Sequence, residues 1–188
     1  MKKVLFIDRD GTMIKEYPPL YQIDSLEKVT FYPFVFKYLG MIAQEMDYEL
    51  VLVSNQDGLG TPKFPEAEFW PAHNLVITSL NNEGIFFKEE LIDRSYPEEN
   101  LPTRKPGIGM FGAYLDNPEY DMQNSYVIGD RITDVQLAKN LGCRALWLNN
   151  NPDLGGAEVK DSIEELRKIV VVETTAWKDF YDYLKTGT

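Results

Sequence analysis

Val4-Leu5-Phe6-Ile7-Asp8-Arg9-Asp10-Gly11-Thr12 is the stretch from which the fold is read. Four consecutive apolar residues suit a strand buried on both faces, as in a parallel sheet. That strand runs straight into two carboxylates one residue apart and then a glycine. Each buried carboxylate costs on the order of several kcal/mol unless something pairs with it. A divalent cation, which prefers oxygen ligands and neutralises crowded carboxylates, is a partner that fits. A plain turn ending the strand would use the same residue types, so the rest of the chain has to decide between them.

Further buried-strand runs follow the same pattern. Leu50-Val51-Leu52-Val53 ends in Ser54-Asn55-Gln56-Asp57-Gly58, and Ser125-Tyr126-Val127-Ile128 ends in Gly129-Asp130-Arg131. Between the strands lie helical signals. Pro33 suits a first helical position, and Val35, Leu39, Ile42, Ala43 and Met46 fall at helical spacing over 34–46. A second helix is expected over 72–82, closed by Gly84, and a short one over 110–115. Thr133 with Gln136 predicts a capping box opening a helix to Leu141, with Gly142 at its end. Leu91-Ile92 is a short strand, 145–148 a fifth and 169–172 a sixth. Ser162 with Glu165 marks another capping box, and Trp177, Phe180, Tyr181 and Leu184 stripe a last helix. Strands alternating with helices predict an α/β fold built on a parallel sheet with right-handed crossovers, read here as one domain over 1–188.

Composition narrows the function. The 188 residues carry 30 acidic against 19 Lys and Arg side chains, a formal net charge of −11. Nucleic acid is therefore a poor partner, because its binding rests on basic residues at phosphates. One cysteine, Cys143, excludes an intrachain disulfide and a multi-cysteine zinc site. The apolar run behind Met1-Lys2-Lys3 is too short for a secretory signal, and no stretch approaches the ~20 apolar residues of a membrane span. A cytoplasmic protein with no membrane partner is the expectation.

In open parallel α/β sheets ligands bind beyond the carboxyl ends of the strands. Asp8, Asp10 and Asp130 would meet there as three carboxylates suited to magnesium. Ser54 and Asn55 add neutral donors for a phosphoryl oxygen, and Lys105 a compact cation. Asp134, one turn into its helix, reads as an acid favoured by the helix dipole rather than as a direct ligand.

These four segments resemble, in order, the motifs of the haloacid dehalogenase superfamily of phosphohydrolases: Asp8-Arg9-Asp10-Gly11-Thr12, Ser54-Asn55, Lys105-Pro106, and Gly129-Asp130 with Asp134. The likeness runs from residue 3 to about 150. A narrower resemblance, to the histidinol-phosphatase family of bacterial histidine biosynthesis, is carried by 6–12, 54–61, Phe64-Pro65, 71–75 and 124–131. It implies a three-layer Rossmann-like parallel sheet without a large cap domain. It also implies that Asp8 attacks phosphorus and that Asp10 serves as acid and then base. Magnesium would be held by Asp8, the Asp10 carbonyl and Asp130, with Ser54, Asn55 and Lys105 on the phosphate oxygens. Glu16, Gln22 and Arg104 would be the substrate contacts, on a small phosphomonoester.

Members of that family carry a zinc loop of three cysteines and a histidine before the Arg-Lys-Pro segment. Here 93–103 contains neither residue type, so no structural zinc is expected. His73 is expected to be structural and Cys143 a small core residue. Related domains are fused to a dehydratase, which the resemblance leaves open for this chain. A heptose bisphosphate, a nucleic-acid 3′-phosphate and a non-catalytic phosphate-binding role are the alternatives.

Overall fold

The computed structural model describes residues 1–19, 21–150 and 155–186. Six strands, β1 (Lys3–Asp8), β2 (Tyr48–Asn55), β3 (Glu89–Asp93), β4 (Tyr126–Gly129), β5 (Arg144–Leu148) and β6 (Val170–Thr174), form one sheet in the order β3-β2-β1-β4-β5-β6. Every pairing is parallel. The chain winds outward from β1 through β2 to β3, then returns to β1's other edge for β4. The strand order thus reverses between β1 and β4, where a crevice opens at the carboxyl ends.

Register fixes what faces that crevice. Asp8 lies opposite Val53, so Ser54 and Asn55 project one and two steps beyond it. Ile7 lies opposite Ile128, which brings Gly129 level with Asp8 and Asp130 just past it.

Alternation along β1 feeds two cores. Leu5 and Ile7 join α1 (Val35–Glu45), α2 (Glu66–Asn82) and α5 (Trp177–Thr186) on one face. Val4 and Phe6 join α3 (Ile132–Leu141) and α4 (Ile163–Arg167) on the other. The result is the three-layer α/β sandwich expected from the sequence. Every strand named among the described residues belongs to this sheet, and no described helix is long and apolar enough to cross a membrane.

Local departures have physical reasons. α1 starts at Val35 behind Phe34, which holds φ 62°, so Pro33 lies outside the helix. α2 begins at Glu66, six residues before the expected start, and carries Pro71 inside it. A proline is costly there because it removes a hydrogen bond, and it disguised the preceding turn. Glu66 and Glu68 suit the first turn. Residues 110–115 make turns rather than a helix. They still deliver Phe111 and Tyr114 edge-on to Phe6, at ring-centre distances of 5.3 and 5.1 Å. The Thr133–Gln136 box does not form. Arg131 is the N-cap, and its N–H donates to Asp134 Oδ2 at 3.1 Å. Gly142 ends α3 in the left-handed region (φ 74°), and the Ser162 side chain caps α4.

Candidate active site

Asp8 ends β1 with its side chain almost wholly buried. Lys105 Nζ donates to Asp8 Oδ1 at 2.5 Å, to Asp134 Oδ1 at 2.8 Å and to the Val53 carbonyl at 3.3 Å. Thr12 Oγ1 donates to Asp8 Oδ2 at 3.2 Å and lies 3.5 Å from Asp130 Oδ1. Burial raises Asp8 to about 6; Lys105 opposes the shift, while Asp134 and Asp10 add to it. Burial, with Asp8 and Asp134 nearby, raises Asp130 well above the ordinary carboxylate range. Burial pulls the Lys105 ammonium down, but Asp134 and Asp8 override it and hold the lysine above its ordinary range.

One oxygen from each of Asp8, Asp130 and Asp134 falls within 4.8 Å of the others. Three buried carboxylates facing one ammonium leave a charge imbalance that a hard, oxygen-seeking cation fits. Asp134 therefore belongs to the cluster, beyond its place at the start of α3. Two glycines permit the approach. A Cβ at Gly11 (φ 77°) would lie 2.2 Å from Asp130 Oδ2, and one at Gly129 2.2 Å from Asp134 Cγ.

Asp10 points the other way. Arg9 Nε and Nη2 each donate to one of its oxygens at 2.9 Å, and Gln56 Nε2 donates to Oδ2 at 2.7 Å. Burial would raise the Asp10 carboxyl, but Arg9 and Gln56 hold it below the ordinary range. Gln56 also donates to Ser54 Oγ at 2.7 Å. Asn55 exchanges two 3.0 Å hydrogen bonds with the Lys105 backbone. Its side-chain amide thus locks the lysine loop to the end of β2.

The cleft above these groups is lined by Asp8, Asp10, Glu16, Gln22, Ser54, Asn55, Arg104 and Lys105, which is the whole expected set except Asp130, whose carboxylate lies within 4.8 Å of that of Asp8. Tyr21, Gln56, Asp57, Phe64, Arg131, Thr133 and Glu158 complete its wall. Glu16 is engaged by Arg131 Nη2, which donates to both its oxygens at 2.9 and 2.8 Å. Burial pushes Glu16 up to about 7 against the pull of Arg131. Arg104 ties three loops together, donating to Glu158 Oε2 (2.8 Å), Asp57 Oδ1 (2.6 Å) and the Ser95 carbonyl (3.0 Å).

The stretch where a zinc loop would sit is ordered by a carboxylate. Asp93 Oδ1 accepts from Ser95 N and Oγ at 2.9 and 2.5 Å, and its Oδ2 accepts from Thr103 Oγ1 at 2.6 Å. Glu99 Oε1 accepts from Tyr96 N at 2.8 Å.

Arg131, Gln56, Asp57 and Glu158 were not singled out from sequence as site residues. Gln56 and Asp57 lie in the strand-end segment already quoted, which was the available signal. Glu158 lies in a stretch without a motif.

Comparison with known proteins agrees with this geometry. A family model described as HAD-hydrolase-like matches residues 102–162. The histidine biosynthesis bifunctional protein HisB of Bacteroides fragilis is 54% identical over 99% of this chain and 48% of its own length. HisB of Spirosoma linguale is 45% identical over 98% of this chain and 49% of its own. The chain thus spans about half the length of these curated relatives. Among solved structures, D,D-heptose 1,7-bisphosphate phosphatase from B. bronchiseptica, complexed with magnesium and phosphate, aligns over 100% of both chains. Its TM-score is 0.80 at 20% identity. With the motifs, the sheet order and these relatives in agreement, the chain belongs to the HAD-like hydrolase family.

Proposed function

We propose that this chain is a magnesium-dependent phosphomonoester hydrolase acting on L-histidinol phosphate in histidine biosynthesis, a cytoplasmic pathway. The observation that carries the reading is Asp8, placed at the floor of the cleft among Lys105, Asp130 and Asp134. Relatives at 54% identity named for histidine biosynthesis support the substrate, as does the lining. Glu16, Asp57 and Glu158 line the outer cleft as ion pairs with Arg131 and Arg104, so a substrate amine or imidazolium would engage them by sharing their oxygens with those arginines. A dehydratase domain is the partner we propose, following the bifunctional names of the relatives.

In this reading Asp8 contributes a carboxylate oxygen that bonds to phosphorus as the bond from phosphorus to the alkyl oxygen breaks. Arg9 and Gln56 hold free Asp10 as a carboxylate, so Asp10 would take up a proton with the incoming phosphomonoester and give it to the leaving alkoxide, releasing the alcohol. It then takes a proton from water as that water attacks the aspartyl-phosphate, and the bond between Asp8 and phosphorus breaks. Phosphate leaves and both carboxylates return to their starting forms. Ser54 offers a hydroxyl donor to the phosphoryl oxygens, and Lys105, whose three N–H groups go to Asp8, Asp134 and the Val53 carbonyl, adds positive charge where phosphoryl charge must be met. Asp8 and Asp130, with the Asp10 carbonyl and the nearby Asp134, are the groups that would hold magnesium, which when bound screens the meeting of two anions.

The test is phosphate release from L-histidinol phosphate, a heptose bisphosphate and a 3′-phosphorylated oligonucleotide, each with and without magnesium. Histidinol phosphate should be turned over fastest, and only with the metal. Equal or faster turnover of another substrate would refute the substrate, and full activity of Asp8→Asn would refute the nucleophile.

A further inference from the structure

Behind the cleft, a line of paired side chains runs from Asp10 to the edge of the sheet. Arg9 follows directly on β1, yet its side chain is only 1% exposed. Two of its nitrogens grip the Asp10 carboxylate, and its third, Nη1, lies 2.9 Å from His73 Nδ1 on α2. Guanidinium has no acceptor, so Nδ1 must be the accepting nitrogen and the imidazole proton sits on Nε2. That proton faces Glu90 Oε2 on β3 at 2.7 Å. Burial and the adjacent Arg9 disfavour a second proton on His73, in keeping with this tautomer. Phe69 closes the assembly, with the Arg9 guanidinium 4.7 Å from its ring centre and its ring stacked on His73 at 5.0 Å and 21°.

Both Asp10 oxygens are thereby fixed from one side, and the guanidinium that fixes them is itself fixed by the imidazole. A side chain with as many rotatable bonds as arginine holds a partner in place only when its far end is anchored. Here the anchor is His73, and Glu90 anchors His73.

We propose that His73 is a positioning residue for Asp10, acting through Arg9 and backed by Glu90, so that the carboxylate is held in the orientation from which it takes a proton from the attacking water. This rests on the assignment of Asp10 as the base that hydrolyses the aspartyl-phosphate. Displacement of a catalytic group by about 1 Å can cost on the order of 100-fold. Loss of the anchor should therefore slow hydrolysis of the intermediate more than its formation, and phosphoenzyme should accumulate.

The experiment uses the full chain with magnesium and radiolabelled L-histidinol phosphate, rapid mixing and acid quench. It counts phosphate bound to protein per active site. In His73→Leu, hydrolysis should slow by roughly 10- to 100-fold and the bound fraction should rise well above wild type. His73→Asn, whose amide oxygen falls near the place of Nδ1, should recover most of that rate. Glu90→Ala, on a half-exposed side chain, should slow hydrolysis by about threefold, a milder form of the same displacement, and it carries the test should His73→Leu not fold. A purely structural role would lower the number of active sites without raising bound phosphate per site. That result, or unchanged hydrolysis in Glu90→Ala, overturns the proposal. Asp10→Asn separates the two levels. If it hydrolyses the intermediate normally, the base assignment fails; if it does not while the His73 and Glu90 variants behave as wild type, only the positioning role fails.

Discussion

Replacing Lys105 with Met tests the charge balance on which the cleft depends. The ammonium lies 2.5 Å from Asp8 and 2.8 Å from Asp134, with all three side chains less than a tenth exposed. Methionine fills similar space but leaves two buried carboxylates unpaired. Removing one partner of a buried pair typically costs about 3–5 kcal/mol. For a chain of 188 residues, each kcal/mol moves the melting point by roughly 2–4 °C, so Lys105→Met should melt roughly 6–20 °C lower. The loss should depend on pH. Asp8 already sits at about 6, above its unfolded value of 3.8, and losing Lys105 moves it higher still. A carboxyl with a raised folded pKa favours folding below its unfolded pKa and loses that contribution as pH rises through the folded one. The deficit should accordingly be small near pH 4 and full at pH 8. Circular dichroism melts in chelator at the two pH values, repeated with saturating magnesium, read this directly. Magnesium should restore part of the loss by binding the same carboxylates. A shift under about 2 °C at pH 8 in chelator, against the 3–5 kcal/mol expected of an orphaned pair, would refute the reasoning.

Trp177→Phe removes the indole N–H that donates to the Thr12 carbonyl at 3.0 Å from a fully buried position. It should cost about 1–3 kcal/mol, read as a lower urea midpoint with an unchanged slope; an unchanged midpoint would show that the contact contributes nothing. Glu16, raised to about 7 by burial, gains its charge as pH rises from 6 to 8. If it meets a cationic part of the substrate, the KM ratio of Glu16→Gln to wild type should grow across that window, and parallel profiles would sink the contact. Burial pushes the Cys143 thiol up to about 12, and reactivity belongs to the thiolate. Alkylation at pH 8 should therefore await unfolding in urea, and rapid labelling of the native protein would contradict the packing.

Much of this was legible from sequence because charge and burial conflict there. Asp8, Ser54 and Asp130 each follow a run of apolar residues, and a parallel sheet brings such strand ends to one edge. The contacts that orient these groups were less visible. Arg9 and His73 are 64 residues apart and meet only through the packing of α2 on the sheet. Asp134 has the position of an ordinary first-turn acid, and only the fold turns one of its oxygens toward Lys105 while the other caps α3. Asn55 reads from sequence as a donor to a phosphoryl oxygen, but the fold commits its Oδ1 and one of its two Nδ2 hydrogens to the Lys105 backbone. The start of α2 was hidden by Pro71, whose local preference is overruled by Phe69, Ala72, His73, Val76 and Leu80 packing inward.

The Asp93 knot has a bearing on how the protein comes to life in a cell. A loop tied by thiolates and zinc must await delivery of its ion, and an oxidant or a competing soft metal can take it apart. A loop tied by Asp93, Ser95 and Thr103 carries its fastening within its own covalent chain. Its fastening atoms are oxygens and a backbone nitrogen, so the knot itself offers peroxide no sulfur to attack.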